Sequence, residues 1–282
     1  MKPVYKKGPA LAKEIEKTTV SHGEIAIWHL GQSGILIKGK SGTVVIDPYL
    51  TFSIEENDPN SEFKRDFAPP LAPEDLAGID GLLVTHFHDD HLDQATIERL
   101  AAVSEKALFA IPASHLSVVK EQGIDSGKVI GVQDNQSFSV GEFQVTPIPV
   151  AHTDYERDGQ GNSFYFGYLI EGNGVKLFHS GDTIVDRNIV DRVKRFSPDL
   201  VFLPINGGDY ARTSRGIIGN MNYREAADFG VKVGADMIFP VHYDLFPNNR
   251  ENPAYFVDYL FHRYPAQKFH MMVPGERFVY HL

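Results

Sequence analysis

The 282-residue chain has no cysteine. That absence removes disulfide bridges, thiolate zinc sites and cysteine nucleophiles together, and any metal must sit on nitrogen and oxygen donors. Positive charge is also short: 27 Lys and Arg stand against 37 Asp and Glu, a net charge of −10. A field of that sign repels polyanions, so general nucleic-acid binding is not expected. Long apolar runs are missing. The opening "MKPVYKKGPALAKEIEKTTV" carries charge throughout, unlike a secretory signal or a membrane helix, and the expectation is a cytoplasmic protein with no membrane partner. What remains, 42% hydrophobic and 23% charged, is the balance of an ordinary globular protein.

The pattern of elements is strand-rich. A short helix is expected around "ALAKEIEK", then strands in "EIAIWHLG" and "ILIKGKSGTVVIDP", the latter a hairpin turning through Gly39 to Gly42 and ending at Asp47. Residues 48 to 74 are polar, proline-bearing and too long for a plain connection, which suggests an active-site lid. "GIDGLLVTH" reads as a strand, and "DQATIERLAAV" as a helix with Asp93 as N-cap. A strand in "KALFAIPA", a helix in "SHLSVVKEQG" and short strands over 129 to 151 follow. "SFYFGYLIEGNGVKLFHSGD" reads as a hairpin turning at Gly172 to Gly174. Strands in "DLVFLPIN" and "DMIFPVHYD" then alternate with helices in "VDRNIVDRVKRFSP", "NYREAADFGVKVGA" and "PAYFVDYLFHRYP". With no linker, low-complexity tract or short repeat, a single α/β domain over 1–282 is the economical reading.

Histidine is concentrated in one place. "THFHDDHLD", Thr85 to Asp93, holds His86, His88 and His91 with Asp89 and Asp90 between them. Imidazole is costly to bury without a partner, so the cluster needs a cation or a solvated turn to explain it. It sits where a strand should hand over to a helix, the usual place for chemistry in α/β folds. A turn can aim His86, His88, Asp90 and His91 at one point, whereas a regular strand would send neighbours to opposite faces.

"THFHDDH" resembles the T-H-x-H-x-D-H signature of the metallo-β-lactamase superfamily. The resemblance implies a four-layer αββα sandwich, and requires a later histidine, an aspartate after a small-residue turn and a final histidine. His152 in "IPVAHTD", Asp182 in "LFHSGDT" and His242 in "IFPVHYD" meet that requirement in order. By the superfamily pattern, His86, His88 and His152 would hold one divalent ion, Asp90, His91 and His242 a second, and Asp182 would bridge them. Asp47 would support a ligand from behind. Zinc, manganese and iron all suit such donors.

Within the superfamily, "IAIWHLGQSGILIK", "LFHSGDT", "RGIIGNM" and "IFPVHYDLFPNNRENP" resemble patches of the L-ascorbate-6-phosphate lactonase family, spread over most of the chain. That family has aspartate where this chain has His152. The resemblance implies a cytoplasmic hydrolase of a sugar-acid lactone or its phosphate, in which metal-bound hydroxide attacks the carbonyl and Asp182 or Asp90 manages the proton. Arg215 is the first candidate for a phosphate contact, ahead of Arg212, Arg187 and Lys64. Gln32 and Asn206 are candidates for substrate hydrogen bonds or for turn stabilisation. Trp28, the single tryptophan, and His179 are expected in the core or behind the ligands, and the other histidines receive no role. A phosphodiesterase acting on a small or cyclic phosphodiester is the competing enzyme reading, and a structural metal protein the non-enzymatic one. The aromatic helix "PAYFVDYLFHRYP" either forms a homo-oligomer interface or buries one face.

Overall fold

The computed structural model describes residues 1–121 and 124–282. The first half of the chain lays down β1 (Glu24–Gly31), β2 (Gly34–Lys38) and β3 (Thr43–Ile46) as an antiparallel meander. It then adds β4 (Gly81–Leu83), β5 (Leu108–Pro112) and β6 (Val129–Val132) in parallel. The second half repeats the plan. β7 (Phe138–Val140), β8 (Phe143–Pro149), β9 (Phe166–Gly172) and β10 (Val175–His179) form a meander, and β11 (Leu200–Pro204), β12 (Met237–Val241) and β13 (Lys268–Phe269) extend it in parallel. Finally β14 (Arg277–His281) returns to pair with β1, which closes the first sheet at seven strands; the second also has seven.

Strand alternation sets the layers. Ile25, Ile27, Ile35, Ile37, Val44 and Ile46 face a shared core with Val145, Tyr168, Ile170, Leu177 and Phe202 of the other sheet. Their neighbours Ala26, Trp28, Leu36 and Val45 point the other way, as period-two geometry requires. There they meet Leu11 of α1 (Gly8–Lys17) and Ile97 and Leu100 of α3 (Gln94–Val103). The short α2 (Ser53–Asn57) precedes α3, and α4 (Leu116–Glu121) follows it with Val119 in the same layer. The helix expected over 114–123 is thus seen at Leu116–Glu121; residues 122 and 123 lie outside the described residues. On the far side, α5 (Arg187–Phe196), α7 (Tyr223–Val233) and α8 (Pro253–Arg263) bury Val193, Phe229 and Phe256 against Phe178, Val201 and Ile238; the single-turn α6 (Tyr210–Thr213) lies between α5 and α7 in the chain. The result is the single four-layer αββα sandwich.

Local chemistry explains most helix ends. Asp186 accepts from the Ile189 amide, Asn222 and Glu225 form a capping box, and Gly234 closes α7 at φ 80°. Asp93 stands at the N-cap position of α3, but its side chain does not cap it. Its carboxylate accepts instead from the hydroxyls of Thr51, Ser53 and Thr96, which ties the 48–74 segment to the helix. Trp28 is fully buried, its indole Nε1 donating to Glu14 Oε1 at 3.0 Å. α8 buries Phe256 and Leu260 and leaves Tyr255 and Phe261 exposed. Among the described residues no helix is long and apolar enough to cross a membrane.

Candidate metal centre

Every expected ligand reaches one place. His86, His88, Asp90 and His91 lie on the turn after β4; His152 follows β8, Asp182 follows β10 and His242 follows β12. β8, β10 and β12 all run the same way, so their C-terminal ends share an edge of the second sheet, facing the C-terminal ends of β3 and β4 in the first. Donor atoms of His86, His88, His152 and Asp182 lie within 4.8 Å of one another, as do those of Asp90, His91 and His242. Asp182 joins the groups, with one oxygen 3.4 Å from His91 Nε2 and the other 3.1 Å from His242 Nε2.

The backbone around the cluster is unusual. Gln32, Asp47 and His242, all at the site, are left-handed at φ 57°, 46° and 58°, a conformation non-glycine residues hold only when their surroundings require it. Here hydrogen bonds impose it. The His242 amide donates to the Gln32 carbonyl at 2.9 Å, and Asp47 accepts from the Thr85 amide, the Thr85 hydroxyl and His91 Nδ1 at 2.7–2.8 Å. Gly181, before Asp182, has φ 58°, and a Cβ there would fall 2.7 Å from the Phe166 carbonyl oxygen. This accounts for the small-residue turn in "HSGD". His179 accepts from the Gly181 amide at Nδ1 and so donates from Nε2 to the Ser33 carbonyl, which makes it a brace for that turn.

Electrostatics divides the cluster. Burial holds His86 well below the ordinary imidazole value, lowers His88 to about 4 and lowers His152 too, so these three offer neutral lone pairs. Burial also works against charge on His91 and His242, but the carboxylates of Asp182 and Asp90 outweigh it. His91 is held well above its usual value and His242 is raised to about 9. The same pairings outweigh the burial of Asp90 and Asp182 and keep both carboxyls low. This half of the cluster calls for positive charge, which a divalent cation supplies. His91 Nε2 and Asp182 Oδ1, which face each other at 3.4 Å, are moreover buried and make no hydrogen bond among the described residues. Neutral imidazoles, ionised carboxylates and these unpaired atoms fit a cation site.

The cluster floors a cavity of about 400 Å³. Ile54, Asn57, Asp58, Ser61 and Phe63 of the 48–74 segment form one wall, and Gly216, Ile217 and Ile218 form another. Arg215 is at the start of that second wall but does not line it; Nη1 pairs with Glu62 at 2.5 Å. Arg212 is spent on Asp209 and the Asn206 carbonyl, and Arg187 faces solvent beside Asp191. Lys64 does not line the cavity. Gln32 is buried behind the ligands, its Nε2 2.7 Å from Asp90 and 3.1 Å from His242 Nε2, so it orients ligands from beneath the cavity. Asn206 is fully buried and bonds to Asn249 and Asn220, which steadies the loop. Thr85 entered the sequence reading only as the first residue of the signature, without its role of bonding Asp47, and the pair His29–Asp244, 3.0 Å apart, whose carboxylate also accepts from the Gln32 amide, was missed. The one available signal was Asp244 in "VHYD", two residues after a ligand.

A sandwich of this kind with a His and Asp cluster at the strand ends defines a metal-dependent hydrolase. The comparisons agree: the beta-lactamase superfamily domain matches residues 43–243, and the chain belongs to that superfamily. A UPF0173 metal-dependent hydrolase of Archaeoglobus fulgidus is 30% identical over 234 residues, 80% of this chain and 87% of that one. The probable L-ascorbate-6-phosphate lactonase of Shigella boydii is 24% identical, covering 87% of this chain and 77% of its own. In fold, the chain is similar to an isothiocyanate hydrolase from Delia radicum gut bacteria, with TM-score 0.73, 17% identity and coverage of 91% and 100%.

Proposed function

We propose that this hydrolase opens lactones, with one divalent cation (zinc, manganese or iron) held by His86, His88 and His152, a second by Asp90, His91 and His242, and Asp182 between them. The observation that carries the lactone reading is where the lactonase-like patch falls. "RGIIGNM" lies outside the ligand motif, yet Gly216, Ile217 and Ile218 of that patch wall the cavity above the cluster. Likeness at a substrate wall bears on substrate in a way that likeness among ligands does not.

Bound divalent cations at such donors supply Lewis acidity and a water that ionises near neutral pH. The chain's own groups do the rest. Asp182, buried and ionised, is placed to take the proton of the attacking water and return it to the departing ring oxygen, with the Asp90 carboxylate, steadied by Gln32, beside it. Asp47 fixes the His91 ring from behind. The 48–74 segment, as a lid, keeps bulk water from the reacting carbonyl.

The test is ring opening, followed by proton release, with metal-loaded protein and a panel of five- and six-membered lactones beside bis(p-nitrophenyl) phosphate. Metal-dependent opening of a lactone is expected, at least a hundredfold faster than diester cleavage, and falling by a thousandfold or more in Asp182→Asn. Faster cleavage of the diester would overturn the reading in favour of a phosphodiesterase.

A further inference from the structure

The cavity above the cluster has a chemistry of its own. Five of its lining residues are large and apolar: Ile54 and Phe63 from the 48–74 segment, Ile217 and Ile218 from the facing loop, and Phe246 after β12. Phe63 packs edge-on against Phe246, ring centroids 5.5 Å apart, and both join Tyr49, Phe67 and Leu245 in a separate apolar cluster. This wall is therefore backed by packing and keeps its shape. Ile218 is 44% exposed, so the apolar surface runs out to the mouth.

The charges at the same place are acidic. Asp58 and Asp89 line the cavity besides the ligands, and among the described residues no Lys or Arg does. Of the basic residues beside lining positions in sequence, Lys64 next to Phe63 does not line the cavity, Arg250 next to Asn249 lies 3.7 Å from Asp66, and Arg215 and, one position further on, Arg65 are engaged elsewhere. Arg215 pairs with Glu62 and donates from Nε to the Ala211 carbonyl. Arg65 is 5% exposed and donates from Nε and Nη1 to the carbonyls of Tyr49, Thr51 and Phe67, its Nη2 being buried and, among the described residues, without a hydrogen-bond partner; it does not line the cavity. A phosphate or carboxylate on the substrate would meet two like charges and no cationic side chain, only the neutral Asn57, Ser61 and Asn249, whereas strong phosphate recognition uses Arg or Lys at the contact. An alkyl or other uncharged apolar group would meet matching surface.

We infer that the substrate of this site carries an uncharged, apolar substituent on its reacting ring, and that anionic substrates are turned away. The inference rests on the hydrolase reading of the metal cluster. It sets this chain apart from enzymes whose lactone bears a phosphate, and it explains what Asp58 and Asp89 do: they repel a charged substrate on entry and a newly formed carboxylate product on exit. Burying each added methylene against such a wall corresponds to roughly three- to fourfold in affinity until about 400 Å³ is filled.

The experiment uses the full chain loaded with zinc or manganese. kcat/KM is measured for δ-lactones with alkyl substituents from methyl to hexyl and for L-ascorbate 6-phosphate. In parallel, calorimetry measures binding of the matching alkyl δ-lactams, which do not depend on turnover, and of glucose 6-phosphate. The expected result is a rise of about threefold per methylene in both series, with the phosphorylated compounds at least tenfold below hexyl. Asp58→Lys should raise kcat/KM for L-ascorbate 6-phosphate by tenfold or more, and Ile217→Ala should flatten the alkyl series, each checked for fold by circular dichroism and for metal content. If no lactone is opened but lactam affinity rises with chain length, the lactone chemistry fails and the apolar assignment stands. A flat lactam series, no lactam binding, or preference for the phosphorylated compounds would overturn the inference.

Discussion

Asp47 shows what one residue can carry. It is completely buried, left-handed, and accepts three hydrogen bonds, one of them from a ring that also faces Asp90 and Asp182. Asparagine tolerates the left-handed region as well as aspartate does, so Asp47→Asn keeps the backbone while it removes the charge and turns one of the two acceptor oxygens into a donor. The expected outcome is metal binding weakened by about 10–100-fold, read by titration against a chromophoric chelator, with a change of only a few degrees in Tm. Unchanged affinity would reduce Asp47 to a turn residue. The clustering of the seven His and Asp residues was legible in the sequence because they stand in the order of a signature in which cation binding restricts residue type. The bracing role of Gln32 and the pair His29–Asp244 were not, because their partners lie from 58 to 215 positions away and a polar residue in a turn has water as its default partner.

At the scale of elements, the 48–74 segment matters most. Its length and prolines marked it as more than a connection, and the structure makes it a cavity wall. What pins it was hidden: Arg65 lies 4.4 Å over the Tyr49 ring and donates to three backbone carbonyls of its own segment, a role that an arginine in "EFKRDF" does not advertise. Arg65→Met keeps much of the packing and loses those bonds. It should destabilise the protein by on the order of 3 kcal/mol, and hydrogen exchange should quicken across residues 50–68 while the sheets stay protected. Uniform exchange across the whole chain would mean the segment is part of the global unit and no lid. Other elements escaped the sequence reading for a simple reason. β13 is two residues long, and β14 finds its partner β1 at the opposite end of the chain, so neither carries a local periodic signal.

For the molecule as a whole, the layers followed from alternation and from the strand-then-helix rhythm of each half, both local properties of the sequence. How the two sheets face each other did not; it emerges from the shared core and from the cluster, which takes four residues from the first sheet's edge and three from the second's. A cation held there would join the two sheets, and its removal should lower Tm by an amount that grows with the logarithm of the free metal concentration used in loading. Differential scanning calorimetry with and without EDTA measures it, and identical Tm values would mean that the sheets dock without help from the ion. The same division has a consequence in time. A ribosome adding about 5–20 residues per second completes His91 roughly 8–30 s before His242 emerges, so one half of the cluster must wait, acidic and imidazole-rich, for the other. Full occupancy can only follow the making of His242, and a metal-filled centre would therefore mark that both halves of the cluster have been made and docked.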